Sequence, residues 1–303
     1  MVAARGGGIS MKRTITSLGL AAAAFSVAAA TGCGSDLGAP SELREARLLA
    51  IEVDPLEAGP LDEVGAKATV YVPAGQTLVE PAWSFCPFSA GATAGFACAV
   101  PACETPIVAA ADGTVRFSPF QTATSCFEQL AQAGSGRPSG APTEVPEQFE
   151  AVLRYRYATE GGATKEAVQR ISVWPAGAPE PRNRQPVVTR VEIGGQVATP
   201  GALLTAAVAA KSSVPVRVLV DAESLDDYRD ASGRELREEA IVSFYATDGK
   251  FSDDRSNGTD TTVDWKADPL DEGATEVELW VVVRDLRGGA RPVGPFRIAL
   301  MTP

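Results

Sequence analysis

Cysteine is the residue type in this chain whose spacing best suggests chemistry. Four of the five cysteines lie between residues 86 and 126: Cys86, Cys98, Cys103 and Cys126. Such residues form disulfides in exported chains or, as thiolates, bind zinc. They do not fall into the two close cysteine pairs that zinc sites use. We therefore predict two disulfides and no metal, and the sequence does not choose among the pairings.

The fifth cysteine, Cys33, follows a short apolar segment. Lys12 and Arg13 precede an apolar run from Ile15 to Ala30, a pattern typical of a secretory signal and too short for a membrane span. The sequence Ala30-Thr-Gly-Cys33 resembles a bacterial lipobox, with alanine where leucine is usual. The resemblance implies that residues 1–32 are a lipoprotein signal peptide and that Cys33 is acylated, with palmitate among its lipids. The alternative is ordinary signal cleavage, which leaves Cys33 as a free thiol.

Two further features bear on where the protein resides. An exported chain should not carry an idle thiol, and acylating Cys33 leaves four cysteines that can pair. Several acyl chains on one residue are sufficient for stable anchoring, so the expected partner of the N-terminus is the membrane. Gly34 follows the cysteine, and resemblance to enterobacterial sorting then favours the outer membrane, facing the periplasm or the cell surface.

Composition argues against several classes of function. The chain has 38 acidic against 27 basic residues, and its formal net charge is −11, which argues against nucleic-acid binding. It contains no histidine, which excludes histidine-dependent triads and histidine-ligated zinc. Nucleophile-elbow, phosphate-loop and dinucleotide motifs are also missing. We predict no catalytic residues, no cofactor and no enzymatic activity.

Two acidic loops are candidate calcium sites, because calcium binds clusters of oxygen ligands. Residues 221–230 are rich in Asp and Glu and follow a predicted strand, but their spacing matches no EF-hand. Ser224 and Asp227 form a capping box, which favours a short helix running to Glu239. A second acidic loop contains Asp253, Asp254 and Asp260, and we interpret it as a solvated hairpin.

The tryptophans could form a sugar-binding platform or fill the core. Trp83 and Trp265 occupy strand positions where sandwiches bury aromatic side chains. Trp280 alternates out of phase with the valines of its strand, so it either covers the second face of a sheet or is exposed. We therefore select Trp280 as the tentative partner surface. Trp174 stays unassigned.

The pattern of the whole sequence predicts an all-β fold. Short runs rich in Val, Ile, Thr and aromatic residues alternate with Gly, Pro, Asn and Asp, which is typical of β-sandwiches. Residues 175–186 contain four prolines and predict a semi-stiff linker. The predicted organisation is a tether at 33–45, a sandwich with disulfide-bearing insertions at 46–174, the linker at 175–186 and a second sandwich at 187–303.

Three local patterns give further predictions. Asp248-Gly249 and Asn257-Gly258 have the chemistry of hairpin turns. The capping box at residues 125–128 predicts a short helix ending near Gly134. The two halves resemble diverged copies, because Trp83-Ser-Phe85 aligns with Val242-Ser-Phe244. Two more pairs of segments align in the same order: residues 115–117 with 263–265, and residues 149–156 with 277–284.

The second half carries a family resemblance. Residues 241–255 and the Arg-Asp-x-x-Gly-Gly segment at 284–289 resemble bacterial immunoglobulin-like domains, and the whole layout is similar to lipoproteins of GC-rich myxobacteria. The resemblance implies two tandem immunoglobulin-like β-sandwiches in an envelope lipoprotein. It further implies a structural or adhesive binding module without catalysis, with an envelope protein or a glycan as partner. A glycan-binding module and a calcium-dependent adhesion domain are the alternatives.

Overall fold

The computed structural model describes residues 39–132, 147–178, 182–206, 212–229, 233–267 and 276–300. Cys33 and the predicted signal peptide lie outside the described residues, so the lipid anchor stays a prediction. The same holds for residues 33–38 of the predicted tether. The described part of the chain from Ala39 onward belongs to one compact unit.

The first sandwich contains a three-stranded sheet, β1-β3-β6, and a five-stranded sheet, β2-β8-β7-β4-β5. The strands are β1 (Arg47–Asp54), β2 (Glu57–Ala58), β3 (Val64–Tyr71), β4 (Leu78–Cys86), β5 (Thr105–Ile107), β6 (Val115–Phe117), β7 (Phe149–Thr159) and β8 (Lys165–Val173). The two sheets bury Phe85, Leu153 and Ile171 between them. Trp83 lies in the same core, as predicted.

The second sandwich contains two five-stranded sheets, β10-β9-β12-β18-β16 and β11-β20-β19-β15-β17. The strands are β9 (Val188–Ile193), β10 (Gln196–Val197), β11 (Leu203–Ala206), β12 (Ser213–Val220), β15 (Ile241–Ala246), β16 (Lys250–Phe251), β17 (Arg255–Asn257), β18 (Asp260–Lys266), β19 (Glu276–Arg284) and β20 (Ala290–Leu300). A separate hairpin pairs β13 (Asp227–Arg229) with β14 (Glu235–Arg237). Trp265 and Phe244 fill the core, and Trp265 is fully buried.

Both sandwiches have the immunoglobulin-like strand order. In each, a short strand, β2 or β11, pairs in parallel with the last strand of its sandwich, whereas the long neighbours pair antiparallel. This arrangement of two facing sheets confirms the predicted all-β, immunoglobulin-like architecture. The aligned segments of the two halves lie on equivalent strands: β4 with β15, β6 with β18, and β7 with β19.

Strand β19 illustrates why the sequence folds in this way. Val277, Leu279, Val281 and Val283 alternate along it and are buried in the core of the second sandwich. Because successive side chains of a strand point to opposite faces, the intervening residues Trp280 and Val282 face outward from that core. Val282 is nevertheless fully buried, so the outer face of this sheet is covered as well.

The helix near the second disulfide begins earlier than the sequence prediction. Helix α1 spans Pro119–Gln132, whereas the capping box had indicated a start at Ser125. Ser118 precedes the helix, and its hydroxyl accepts a hydrogen bond from the Gln121 backbone N–H at 3.4 Å. Serine followed by proline at the first helical position is a start signal of its own, and it prevails here.

The two predicted hairpin turns connect different sheets. Gly249 and Gly258 do adopt positive φ, at 80° and 115°. However, Asp248-Gly249 leads from β15 to β16, and Asn257-Gly258 leads from β17 to β18, and each pair of strands belongs to opposite sheets. The prediction of tight turns is confirmed, whereas their assignment to hairpins was wrong.

The acidic segment after β12 also differs from its prediction. Residues Ala222–Ser224 form a single 3-10 turn capped by Asp221, and the β13–β14 hairpin replaces the predicted helix. The Ser224 hydroxyl is engaged elsewhere, because it donates to the Asp221 carbonyl and accepts from the Val187 backbone N–H. Tertiary contacts therefore override the capping-box pattern.

The four cysteines of the first sandwich form two disulfides. Cys86 pairs with Cys98, and Cys103 pairs with Cys126, with Cα–Cα separations of 5.6 and 5.4 Å. The second bridge fastens α1 to the insertion that follows β4. A small apolar cluster surrounds it, containing Phe88, Val100 and Ala123. The predicted disulfides are confirmed, and they tie segments with little apolar surface of their own.

Candidate functional site at the junction of the two sandwiches

The first residues that the structure describes run along the second sandwich rather than the first. The Leu43 backbone N–H donates to the Ala246 carbonyl at 2.8 Å, and the Ala246 N–H donates to the Ser41 carbonyl at 2.9 Å. Leu43 and Ser41 are both buried. Within the predicted tether, residues 33–45, residues 41–43 extend the edge of β15, and Leu43 packs against both sandwiches.

A second apolar cluster joins the sandwiches next to this entry segment. It contains Leu43, Leu49 and Tyr71 from the first half together with Val282 and Ala290 from the second. Strand β1 lies across the outer face of the sheet formed by β15, β19 and β20. The apolar face that β19 turns away from its own core is therefore buried by the neighbouring sandwich.

Trp280, the candidate partner surface, lies beside this cluster. It pairs with Tyr245 across β15 and β19, and both side chains pack against the cluster between the sandwiches. Its indole nitrogen is buried without a hydrogen-bond partner among the described residues. Its out-of-phase position places it on the second face of the sheet, where its side chain is partly buried. Its role as a partner surface stays a prediction.

The segment Arg284–Gly289, which the sequence marked as a framework motif, forms a tight turn at the junction. The Asp285 side chain is fully buried, and its Oδ1 accepts the backbone N–H groups of Arg287 and Gly289, both at 2.8 Å. A Cβ on Gly289 would lie 2.0 Å from Asp285 Oδ2 and 2.9 Å from Cδ of Pro186. Only glycine fits at this position.

Arg287 is the central contact of the junction. Its guanidinium donates to Glu57 of the first sandwich at 3.0 Å and to Glu238 of the second at 2.9 Å. The side chains of Glu57 and Glu238 are 8% and 0% exposed, so the guanidinium holds two buried carboxylates from different sandwiches. The guanidinium also lies 4.8 Å from the ring centroid of Tyr228.

Burial at the junction disfavours the ionised forms of two carboxyl groups, those of Glu238 and Asp285. Burial raises the pKa of Glu238 above its ordinary value, and the nearby Asp285 carboxylate adds to the rise while hydrogen bonds and Arg287 oppose it. Burial likewise raises the pKa of Asp285, against the backbone N–H groups that stabilise its charge. The ionised forms of these two carboxyl groups are therefore stabilised by Arg287 and by the backbone N–H groups of the turn.

The predicted linker is part of the junction. Asn183 is buried, and its backbone N–H donates to the Glu57 carboxylate at 3.0 Å. The Gln185 side chain contacts both sandwiches, accepting from the Ala290 N–H at 2.8 Å and donating to the Val53 carbonyl at 2.5 Å. Residues 183 and 185 of the predicted semi-stiff linker therefore contact both sandwiches.

A further set of contacts crosses from one sandwich to the other. Arg284 donates to the Leu49 carbonyl at 2.7 Å, and Gln169 donates to the Gly288 carbonyl at 3.0 Å. Arg291 pairs with Glu52 at 2.8 Å near the surface. None of these partners could be recognised in the sequence, where the Arg-Asp-x-x-Gly-Gly motif is the one signal of this region.

An open cleft borders the junction, with a volume of about 710 Å³. Strands β1, β3 and β6 and the segment before β6 contribute one side of its lining, and the linker and β20 contribute the other. Five of its lining residues are basic: Lys67, Arg116, Arg182, Arg184 and Arg291. Three are acidic: Glu52, Asp54 and Asp112.

Some of the acidic residues considered for calcium lie in ion pairs. Asp226 is buried and pairs with Arg184 at 2.5 Å, and Asp260 pairs with Arg217 at 2.7 Å. Asp254 instead accepts the Phe244 N–H through its backbone carbonyl. Within the residues that the structure describes, no cluster of three or more potential metal ligands occurs.

The part of the chain described by the structure contains no helix long and apolar enough to cross a membrane. No protein-family model matches the sequence, and no curated protein matches it either.

Solved structures with a similar arrangement include the fibronectin(III)-like modules of Clostridium thermocellum CbhA, at 11% identity and TM-score 0.23, covering 84% of this chain and 94% of that chain. The D00-D0 domain of Intimin matches at 11% identity and TM-score 0.22, covering 82% and 100%. SGBP-B of Bacteroides ovatus, solved with a mixed-linkage heptasaccharide, matches at 10% identity and TM-score 0.23, covering 85% and 70%. At such scores the immunoglobulin-like assignment rests on the strand order described above.

Proposed function

We propose that this protein is a membrane-anchored envelope lipoprotein, of the type found in myxobacteria, whose two joined sandwiches act as a structural or adhesive binding module without catalysis. Its anchor is acylated Cys33 in the outer membrane, and its partner is an envelope protein. The observation that supports a binding module most strongly is the buried junction, which holds two sandwiches and the linker in one fixed arrangement.

The chemistry of the junction fits this role. Perturbed carboxyl groups often mark catalytic sites when they face an open cleft. Here Glu238 and Asp285 are buried inside the contact between sandwiches, and both are engaged by Arg287 or its backbone. The raised pKa values of these two carboxyl groups therefore follow from their burial at the contact between the sandwiches. A fixed pair of sandwiches loses less conformational entropy on binding than a flexible pair does.

The aromatic residues favour a protein partner over a glycan. Trp83 and Trp265 are buried in the two cores, and Trp280 packs against the cluster between the sandwiches. The strongly exposed large apolar side chains of the described residues are leucines and valines, such as Leu61 and Val108. A sugar-stacking strip would need exposed aromatic rings.

The anchor is tested by replacing the acylated residue. We expect Cys33→Ala to move the protein from the detergent-extracted membrane fraction to the soluble envelope fraction, because the acyl chains provide the membrane affinity. Cell fractionation followed by immunoblotting measures this, and Ser35→Ala, just beyond the proposed acylation site, should stay in the membrane fraction. Wild-type protein in the soluble fraction would contradict the lipoprotein assignment.

The partner is tested by affinity capture from envelope extract with residues 34–303, with and without calcium. Reproducible recovery of one envelope protein supports the proposed function. Recovery of polysaccharide or peptidoglycan supports the glycan-binding alternative, and calcium-dependent recovery supports the calcium-dependent adhesion domain.

A further inference from the structure

The junction buries more carboxyl groups than cations. Glu57 and Glu238 both accept from the Arg287 guanidinium, and their side chains are 8% and 0% exposed. Asp285 is fully buried beside Glu238. Among the described residues, Arg287 is the cation that pairs with these carboxyl groups, so three ionised carboxylates would share one guanidinium. Part of their negative charge would then be buried without a cation, which is strongly unfavourable.

The Asp285 carboxyl group has the fewest donors of the three. Its Oδ1 accepts the backbone N–H groups of Arg287 and Gly289, both at 2.8 Å. Its Oδ2 is buried and has no hydrogen-bond partner among the described residues. A buried, ionised oxygen without a donor keeps the full cost of its desolvation. A protonated carboxyl group lowers that cost, because it can keep both backbone hydrogen bonds on Oδ1.

Glu238 lies between charged groups of both signs. Its Oε1 accepts from Arg287, and its Oε2 accepts the Asp226 backbone N–H at 2.9 Å. The Asp226 carboxylate pairs with Arg184 at 2.5 Å, so these two side chains together add no net charge. The ring of Tyr228 lies against the Arg287 guanidinium. The surroundings of Glu238 therefore leave the charge of Asp285 uncompensated.

The cations next to Glu238 and Asp285 in the chain have partners outside this cluster. Arg237 pairs with an exposed aspartate at 3.6 Å, and Arg284 donates to a backbone carbonyl of β1 at 2.7 Å. Glu239 is exposed. The charged groups that face the two carboxyl groups from the packed elements are therefore Glu57 of β2, Asp226 before β13, Arg184 of the linker and Arg287 of the turn.

The pKa directions agree with this geometry. Burial raises the pKa of both Glu238 and Asp285, and the Asp285 charge adds to the rise at Glu238. At pH values between the ordinary and the raised pKa, the folded protein then binds more protons than the unfolded chain does. The free energy of unfolding therefore falls as the pH rises through the raised pKa values, and it is higher in mild acid.

We propose that the Glu238–Asp285 pair binds a proton as a structural part of the junction, and that mild acid thereby strengthens the contact between the two sandwiches. The two carboxyl groups interact, so the proton belongs to the pair. Loss of the proton at higher pH adds a buried negative charge that no cation balances, and the contact weakens. This inference goes beyond the proposed function and depends on neither the membrane anchor nor the partner.

The composition of the chain makes the proton measurable. The sequence contains no histidine, and the four cysteines after Cys33 form disulfides. Between about pH 5 and 7, no side chain of unperturbed pKa in such a chain changes its charge. Carboxyl groups of lowered pKa, such as Glu166 with its hydrogen bond from Arg156, titrate at lower pH. A pH dependence of stability in this range therefore reports carboxyl groups of raised pKa.

The test is urea unfolding of residues 34–303 from about pH 5 to 7, monitored by tryptophan fluorescence. The urea midpoint should fall as the pH rises. One proton bound by the folded state makes the equilibrium constant for unfolding rise by up to about tenfold per pH unit. A wild-type midpoint that stays constant over this range would overturn the proposal without any variant.

Variants assign the proton to the pair. Glu238→Gln/Asp285→Asn removes both carboxyl groups with little change of shape, and its urea midpoint should be nearly constant with pH. Glu52→Gln is the matched control, because it removes a carboxyl group of the same junction whose partner, Arg291, is 47% exposed. This control should keep the wild-type pH dependence. Equal pH dependence in the two variants would overturn the proposal, because the effect would then follow the overall acidic charge.

A single variant decides the matter if the double variant does not fold. Glu238→Gln leaves the turn hydrogen bonds of Asp285 in place and removes the neighbouring charge. The pH dependence of its urea midpoint should be shallower than that of wild type. A dependence as steep as the wild-type one would overturn the assignment of the proton to this pair.

Discussion

Arg287→Met is expected to destabilise the protein by about 3 kcal/mol, because removing one partner of a buried ion pair leaves the other charge uncompensated. Here two buried carboxylates, Glu57 and Glu238, would lose the same guanidinium. Methionine keeps the apolar stem against Tyr228, so the loss reports the charge and its hydrogen bonds. Urea unfolding monitored by tryptophan fluorescence measures the change in free energy.

Arg291→Met is the matched control. Arg291 also joins the two sandwiches, through Glu52, but its side chain is 47% exposed. Exposed ion pairs contribute about 1 kcal/mol or less, so this variant should be nearly as stable as wild type. Adding Glu238→Gln to Arg287→Met should restore part of the lost stability by removing one uncompensated charge. Equal, small effects of Arg287→Met and Arg291→Met would contradict the central role of Arg287.

Gly289→Ala is expected to destabilise the protein by about 3–5 kcal/mol, as the sum of overpacking and lost hydrogen bonds. The new Cβ would lie 2.0 Å from Asp285 Oδ2, which is far inside any allowed contact. Asp285 cannot move aside without breaking its hydrogen bonds to the Arg287 and Gly289 N–H groups. The same unfolding measurement determines the loss.

A second glycine provides the comparison. At Gly65 an added Cβ meets only the Asp54 carbonyl at 3.6 Å, which is ordinary contact. Gly65→Ala should therefore change stability by about 1 kcal/mol or less. If Gly289→Ala were tolerated as well as Gly65→Ala, the turn at residues 284–289 would have to be less tightly packed than described here.

Much of the fold could be predicted from the sequence because its strands have strong local signals. Strand β19, Glu276–Arg284, is an example, since its alternating Val and Leu residues identify a strand. The disulfides were predicted from the number of cysteines in an exported chain. Their pairing was not, because it depends on how the insertion after β4 approaches α1.

The failures share a physical cause. The helix predicted from Ser224 does not form because Val187, at the start of the second sandwich, holds the Ser224 hydroxyl, and Arg184 of the linker holds Asp226. Trp280 lies on the outer face of its sheet, and the sequence could not reveal that β1 packs against that face. Glu57 and Arg287 meet across the two sandwiches, and no local pattern encodes such a distant pair.

The junction connects these observations to function. The free energy gained by burying Leu49, Tyr71 and Val282 between sandwiches favours one relative arrangement. The buried ion pairs of Arg287 make that arrangement specific, since any other would leave Glu57 or Glu238 without a cation. In the proposed function, this fixed arrangement presents the cleft, whose lining comes from both sandwiches and the linker.

We expect the two sandwiches to unfold as one cooperative unit. Differential scanning calorimetry of residues 34–303 measures this by comparing the calorimetric enthalpy with the van 't Hoff enthalpy. We predict a single transition in which the two enthalpies agree, because unfolding either sandwich exposes the shared cluster and the buried carboxylates. Two resolved transitions in the wild-type protein, each with the enthalpy of one sandwich, would contradict the account.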